Sequence, residues 1–246
     1  MTTPLFETYD QKDVLISPQD QISNFHRNHN AKITKLPSTC ILAAMNPNRI
    51  ERNLQGWKLK RQMQFIPGSP DFPLKIYQKG NKEMLVAYGG MGGAALCNTL
   101  ELVIALGVKK VYMIGMCGGI TNARIGDIVV AEKAIRDEGI SYHYLERSKE
   151  AKASVSVKLP AKYGAVWTTD AMYRETLTKY HKYKKHGVLG VDMETASAYA
   201  VAEFRRIKIV SLLVVSDIVE PEKWNPQFHN DKVEDGIKRI LKGLSI

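Results

Sequence analysis

Four short segments of this 246-residue chain carry residues able to do chemistry. Val191-Asp-Met-Glu194 sets two carboxylates two residues apart, beside an apolar run and at the start of a helix rich in small residues. Val214-Val-Ser-Asp217 puts an ionisable residue where an apolar strand runs out, and ligands of open α/β folds gather at the carboxyl ends of strands. Gly89-Gly-Met-Gly-Gly93 offers small residues where a backbone could approach an anion at a helix N-terminus, but it lacks the lysine of a P-loop and the full dinucleotide fingerprint. Gly115-Met-Cys-Gly-Gly119 ends a second apolar run. Each has a plainer explanation beside the functional one. Asp192, Glu194 and Asp217 could serve as helix caps or favour a helix dipole, and glycines also serve tight turns and close packing.

The elements that must position these residues alternate. Apolar runs at 39–45, 74–78, 84–88, 110–115, 127–131, 165–168, 188–191 and 208–216 read as strands, and amphipathic or small-residue segments at 94–106, 173–186, 193–205 and 232–242 read as helices. That alternation predicts an α/β fold with a largely parallel core sheet. Pro67-Gly-Ser-Pro-Asp-Phe-Pro73 carries three prolines and reads as a lid or edge loop. The first ~35 residues lack clear periodicity, and 1–38 is expected to be an extension that packs on the domain or on a neighbour.

The composition narrows the function classes. Residues 1–21 show no secretory pattern, and the apolar runs fall far short of the ~20 residues that span a bilayer, so a cytoplasmic protein without membrane association is expected. Cys40, Cys97 and Cys117 are odd in number and lack metal-ligand spacing, which fits a reducing compartment. The formal charge of +10 makes an anionic substrate or a nucleic acid worth weighing. The densest basic stretch, Lys179-Tyr-His-Lys-Tyr-Lys-Lys-His186, lies where a helix should end, where cations suit the dipole, so no nucleic-acid partner is expected.

In this order, the segments resemble the nucleoside phosphorylase superfamily, which includes purine nucleoside phosphorylase, uridine phosphorylase and methylthioadenosine nucleosidase. The resemblance covers 39–217. It rests on Gly107-Val-Lys-Lys-Val-Tyr-Met-Ile-Gly-Met-Cys-Gly-Gly119, Ile125-Gly-Asp-Ile-Val-Val130, Ile135-Arg-Asp-Glu-Gly-Ile-Ser-Tyr-His-Tyr144, Thr168-Thr-Asp-Ala-Met-Tyr-Arg-Glu-Thr176, Gly190-Val-Asp-Met-Glu-Thr-Ala196 and Val215-Ser-Asp217.

It implies a single-domain α/β/α sandwich over 39–246 with a mixed, largely parallel central sheet, and cleavage of the N-glycosidic bond of a nucleoside. By resemblance, Glu194 accepts hydrogen bonds from the ribose 2′- and 3′-hydroxyls, with Met193 and Asp192 beside it. A fixed carboxylate there orients the sugar and favours its developing oxocarbenium charge. Asp217 matches the position that helps purine N7 leave, whereas the Gln-x-Arg base-reading motif of uridine-specific members is not found after Tyr173, so a purine leads. Cys117 and Gly118 should flank the base, and Met172, with Tyr173 next to it, covers its face. His26, or else His29, is the candidate for reaching the ribose 5′-hydroxyl of a neighbouring subunit, whereas His143 is expected to pack structurally. A homo-oligomer, dimer or hexamer, is implied, with no metal or organic cofactor and inorganic phosphate as a possible co-substrate.

The chain departs from the family at the phosphate ligands. In Ala44-Met-Asn-Pro-Asn-Arg49 the arginine is kept, but Met45 replaces a glycine, Met113 stands where an arginine is expected, and Met116 replaces a hydroxyl residue. Methionine cannot supply the charge-assisted bonds that hold phosphate. Arg49 with Gly90 and Gly92 is left to carry the anion, helped by Arg61 from a neighbouring subunit. Phosphorolysis to free base and ribose 1-phosphate leads, hydrolysis by water is the alternative, and a non-catalytic nucleoside-binding protein is the third reading.

Overall fold

The computed structural model describes residues 14–29, 35–64, 73–147 and 149–244. The first element among the described residues is helix α1 (Pro18–His29), and the core begins with β1 (Thr39–Ala44), an apolar run buried on both faces as befits a central parallel strand. There follow α2 (Asn48–Glu51), β2 (Lys58–Met63), β3 (Leu74–Lys79), β4 (Lys82–Tyr88), α3 (Gly93–Ala105), β5 (Lys110–Gly119), β6 (Ile128–Asp137), β7 (Ala151–Lys152) and β8 (Lys162–Thr169). The chain then runs through α4 (Leu177–Lys185), β9 (Gly190–Asp192), α5 (Thr195–Phe204), β10 (Lys208–Ile218), β11 (Asn225–Pro226) and α6 (Asp231–Gly243).

All eleven described strands belong to one mixed sheet. Its centre is parallel, with β4, β1, β5 and β10 side by side. Strand β10 also pairs antiparallel with β6, and β9 joins β8 to β5, so that β5, β10, β6, β8 and β9 close into a ring. Strands β3 and β2 extend the other end as an antiparallel wing. One face carries α3 and α5, with α1 laid against them through Ile22 and Phe25; the other carries α2 and α6. This is the expected sandwich.

Helix α6 shows why these elements form. Val233, Ile237 and Ile240 recur on one face and are fully buried, Asn230 caps the N-terminus by accepting from the Lys232 amide at 3.0 Å, and Asp231 and Glu234 lie in the first turn. Helix α4 begins at Leu177 instead of 173. Thr176 caps it, and Met172–Arg174 ahead of it form a separate 3₁₀ turn. Its lysines 182, 184 and 185 sit in the last turn, as the basic stretch suggested.

Several elements differ from expectation. The second glycine cluster lies within β5, because β10 pairs with it as far as Gly119. Strand β2 was not anticipated: its residues are nearly all exposed, so no apolar alternation marks it. Helix α1 and the two-residue strands β7 and β11 were missed for the same want of pattern. Of the proline-rich stretch 67–73, only Pro73 lies within the described residues, and much of 1–38 also lies outside them.

Candidate active site

Asp217 and the strand that leads to Glu194 meet at a glycine. In the sheet register Gly118 of β5 stands between Val191 of β9 and Asp217 of β10. A Cβ built on Gly118 would lie 3.1 Å from Asp217 Oδ2, 3.2 Å from Val191 and 2.6 Å from Val219, so only glycine allows the two strands this approach. The register of β10 shifts between Val215 and Asp217, leaving Ser216 as the extra residue of a bulge that re-aims the following side chain. Asp217 is buried. Its Oδ1 accepts from the Ser216 hydroxyl and its Oδ2 from the Trp224 indole N–H, both at 2.8 Å.

Glu194, equally buried, occupies the N-cap position of α5. Its Oε1 accepts from the Gly92 amide at 2.6 Å and its Oε2 from the Met193 amide at 3.3 Å. Burial, and then the charge of Asp192, push its carboxyl up to about 8 against the pull of these two amides. The Asp192 carboxyl is also raised, by burial.

Asp192 points elsewhere than expected. Its Oδ1 accepts from the Thr168 hydroxyl at 2.6 Å, and its Oδ2 accepts from the Thr195 amide at 2.8 Å and the Thr195 hydroxyl. With Oδ1 held by Thr168 and Oδ2 by the amide and hydroxyl of Thr195, Asp192 braces β8 against the start of α5. Cys117 lies buried between the acids, its thiol raised by burial and by the charges of Asp192 and Asp217. Met193 is half-buried beside Glu194.

Two residues that sequence reasoning passed over belong here. Trp224 reaches back to Asp217 from the loop after β10. Glu175, at the end of the 3₁₀ turn, has its carboxyl raised to about 7 by burial and then by the charge of Asp217. Neither is linked to Asp217 by sequence spacing. Met172 and Tyr173, expected over the base, are 38% and 91% exposed on this turn.

The expected anion ligands are scattered. Gly92, with φ of 84°, gives its amide to Glu194, and Gly90 lies in the same turn between β4 and α3. Arg49 Nε pairs with Glu234 Oε1 at 2.6 Å, and Nη1 donates to Met116 Sδ at 3.2 Å. Met113 is fully buried and Met45 nearly so. Arg61 is exposed on β2, two strands removed from β4. His26 lies on α1, the His29 side chain is outside the described residues, and His143 ends a 3₁₀ turn after β6. Among the described residues no cluster of three His, Cys, Asp or Glu is placed to hold a metal, and no helix is long and apolar enough to cross a membrane.

This arrangement sets two buried carboxyls, Asp217 and Glu194, at the ends of β10 and β9, each held by hydrogen bonds from the protein and able to exchange a proton or accept a hydrogen bond.

Comparison with known proteins identifies the family. The family model described as the phosphorylase superfamily matches residues 39–244. A purine nucleoside phosphorylase DeoD-type 2 of Vibrio vulnificus is 31% identical over 182 residues, covering 67% of this chain and 75% of that protein. A purine nucleoside phosphorylase DeoD-type of Buchnera aphidicola is 28% identical over 190 residues, covering 67% and 78%. Among solved structures, a purine nucleoside phosphorylase from Toxoplasma gondii in complex with immucillin-H superposes with a TM-score of 0.71 at 18% identity, over 85% of this chain and 90% of that one. A uridine phosphorylase from Vibrio fischeri superposes with a TM-score of 0.66 at 21% identity, over 84% and 89%.

Proposed function

The chain belongs to the phosphorylase superfamily and is an enzyme of the nucleoside phosphorylase type, and from that premise we propose that it cleaves a purine nucleoside to free base and ribose 1-phosphate. The observation that carries the purine reading is the position of Asp217. It is buried, held by Ser216 and Trp224, and set beside Gly118 near the carboxyl end of β10. General acid help of this kind is worth ~10²–10⁴ in rate. Glu194 orients the ribose and favours its developing positive charge, while Asp192 supports it from behind. The purine nucleoside phosphorylases among the relatives support the same substrate class.

Hydrolysis is the second reading, favoured by one observation: Arg49 is already paired with Glu234 and Met116, and Gly92 with Glu194. We take the working unit to be a homo-oligomer, in line with the exposed Met172, Tyr173, Leu177 and Trp224. We place it in the cytoplasm, in line with three free, buried cysteines.

The test is release of free base from a panel of purine and pyrimidine nucleosides, with and without phosphate, tracking ribose 1-phosphate against ribose. Phosphate-dependent ribose 1-phosphate from purines is the expected result. Free ribose regardless of phosphate would establish hydrolysis, and no cleavage of any nucleoside would overturn both.

A further inference from the structure

Arg49 stands at the carboxyl edge of the sheet, on the side that carries α2 and α6. It lies in α2 just after β1, and its Nη1 rests on the sulfur of Met116, the neighbour of Cys117 in β5. A thioether is a weak acceptor. Nη2 is buried and has no hydrogen-bond partner among the described residues. Two of the guanidinium's three nitrogens are therefore poorly served, although the fork is built to bind an oxyanion through paired N–H groups. The third, Nε, is held by Glu234 Oε1 at 2.6 Å, with Arg52 Nη2 at 3.6 Å from the same oxygen.

The two partners differ in freedom. The Arg49 side chain is 11% exposed, whereas that of Glu234, in the first turn of α6, is 35% exposed and can turn into solvent. An incoming phosphate dianion meets a cation already neutralised, and a carboxylate that repels it.

We propose that Glu234 is an internal competitor of phosphate for Arg49, a specificity-determining residue that keeps phosphate affinity low until its carboxylate swings away. The inference rests on the phosphorolysis proposed above, but it concerns an anion site whose occupancy can be read without turnover.

The experiment is a phosphate titration of the full chain as wild type, Glu234→Gln and Glu234→Ala. The rise in melting temperature with phosphate is read against each variant's own phosphate-free value, and the phosphate KM for base release is measured in parallel. The expected result is a steeper phosphate-induced rise in both variants and a phosphate KM about tenfold lower, as removal of one charge-assisted competitor allows. Adding Arg49→Met to Glu234→Gln should erase the gain. An unchanged or smaller phosphate response of melting in both variants overturns the proposal, whatever the product. A steeper response accompanied by phosphate-independent ribose release supports the anion competition and sinks the phosphorolysis on which it was framed.

Discussion

The Gly92 amide and the Glu194 carboxylate meet at 2.6 Å across 102 residues of chain, so the N-termini of α3 and α5 share one buried acid. The bond holds Glu194 rigid through one oxygen. The other accepts, among the described residues, a longer bond from the Met193 amide at 3.3 Å.

Glu194→Gln keeps the shape of this contact and, above pH about 8, where the wild-type carboxyl is ionised, removes its charge. We expect kcat and kcat/KM to fall together by ~10²–10³, because electrostatic help to the transition state is lost along with orientation. Steady-state kinetics on the best purine nucleoside checks this; a rise in KM alone would reduce Glu194 to a passive binder.

The raised Glu194 carboxyl, about 8 against an ordinary 4.5, gives activity and stability opposite pH trends. The ionised form accepts the ribose hydroxyls, so kcat/KM should climb with pH and level off above about 8. Between 4.5 and about 8 the folded state keeps a proton that the unfolded chain releases, so the stabilisation from Glu194, full below 4.5, is lost as pH rises through about 8. Urea midpoints of the wild type should therefore drop relative to those of Glu194→Gln as pH rises across that window.

Asp217→Asn should reduce the purine rate by ~10²–10⁴ and leave any pyrimidine rate nearly untouched, since only the purine uses the acid at this position. Parallel assays of both substrate types decide it. An undiminished purine rate would remove the acid role.

Trp224 acts on Asp217 by position, through the indole bond at 2.8 Å. Trp224→Phe keeps the ring and loses the donor. With the side chain half exposed, the full worth of a bond to a charged group, ~1.5–3 kcal/mol, is not reached, and a kcat lower by about tenfold is expected. Stability should move by no more than ~0.5 kcal/mol, as for other surface changes. A large fall in melting temperature would assign Trp224 to packing instead.

Gly93→Ala tests the joint between α3 and α5. The added Cβ would lie 2.5 Å from the Ser197 hydroxyl, which itself donates to the buried Glu138 at 2.7 Å, so the helices must separate. A loss of ~1–3 kcal/mol in denaturant unfolding is expected. An unperturbed midpoint would mean that the interface gives way freely.

Local pattern in the chain was enough to predict an α/β fold with a largely parallel sheet, the strand-to-helix glycine turn before α3, Glu194 at the start of a helix and Asp217 where a strand runs out. Those features follow from apolar periodicity and from where it stops, which neighbouring residues carry among themselves. The partners of the site were decided only by the tertiary structure. The bulge at Ser216, the meeting of β9 and β10 on Gly118, the withdrawal of Asp192 into bonds with Thr168 and Thr195, and the pairing of Arg49 with Glu234 across 185 residues all depend on sheet register and helix docking. The same composition tolerates many registers, and a buried polar atom takes whichever partner the closed sheet brings within reach, because leaving it unpaired costs more than any local preference can return.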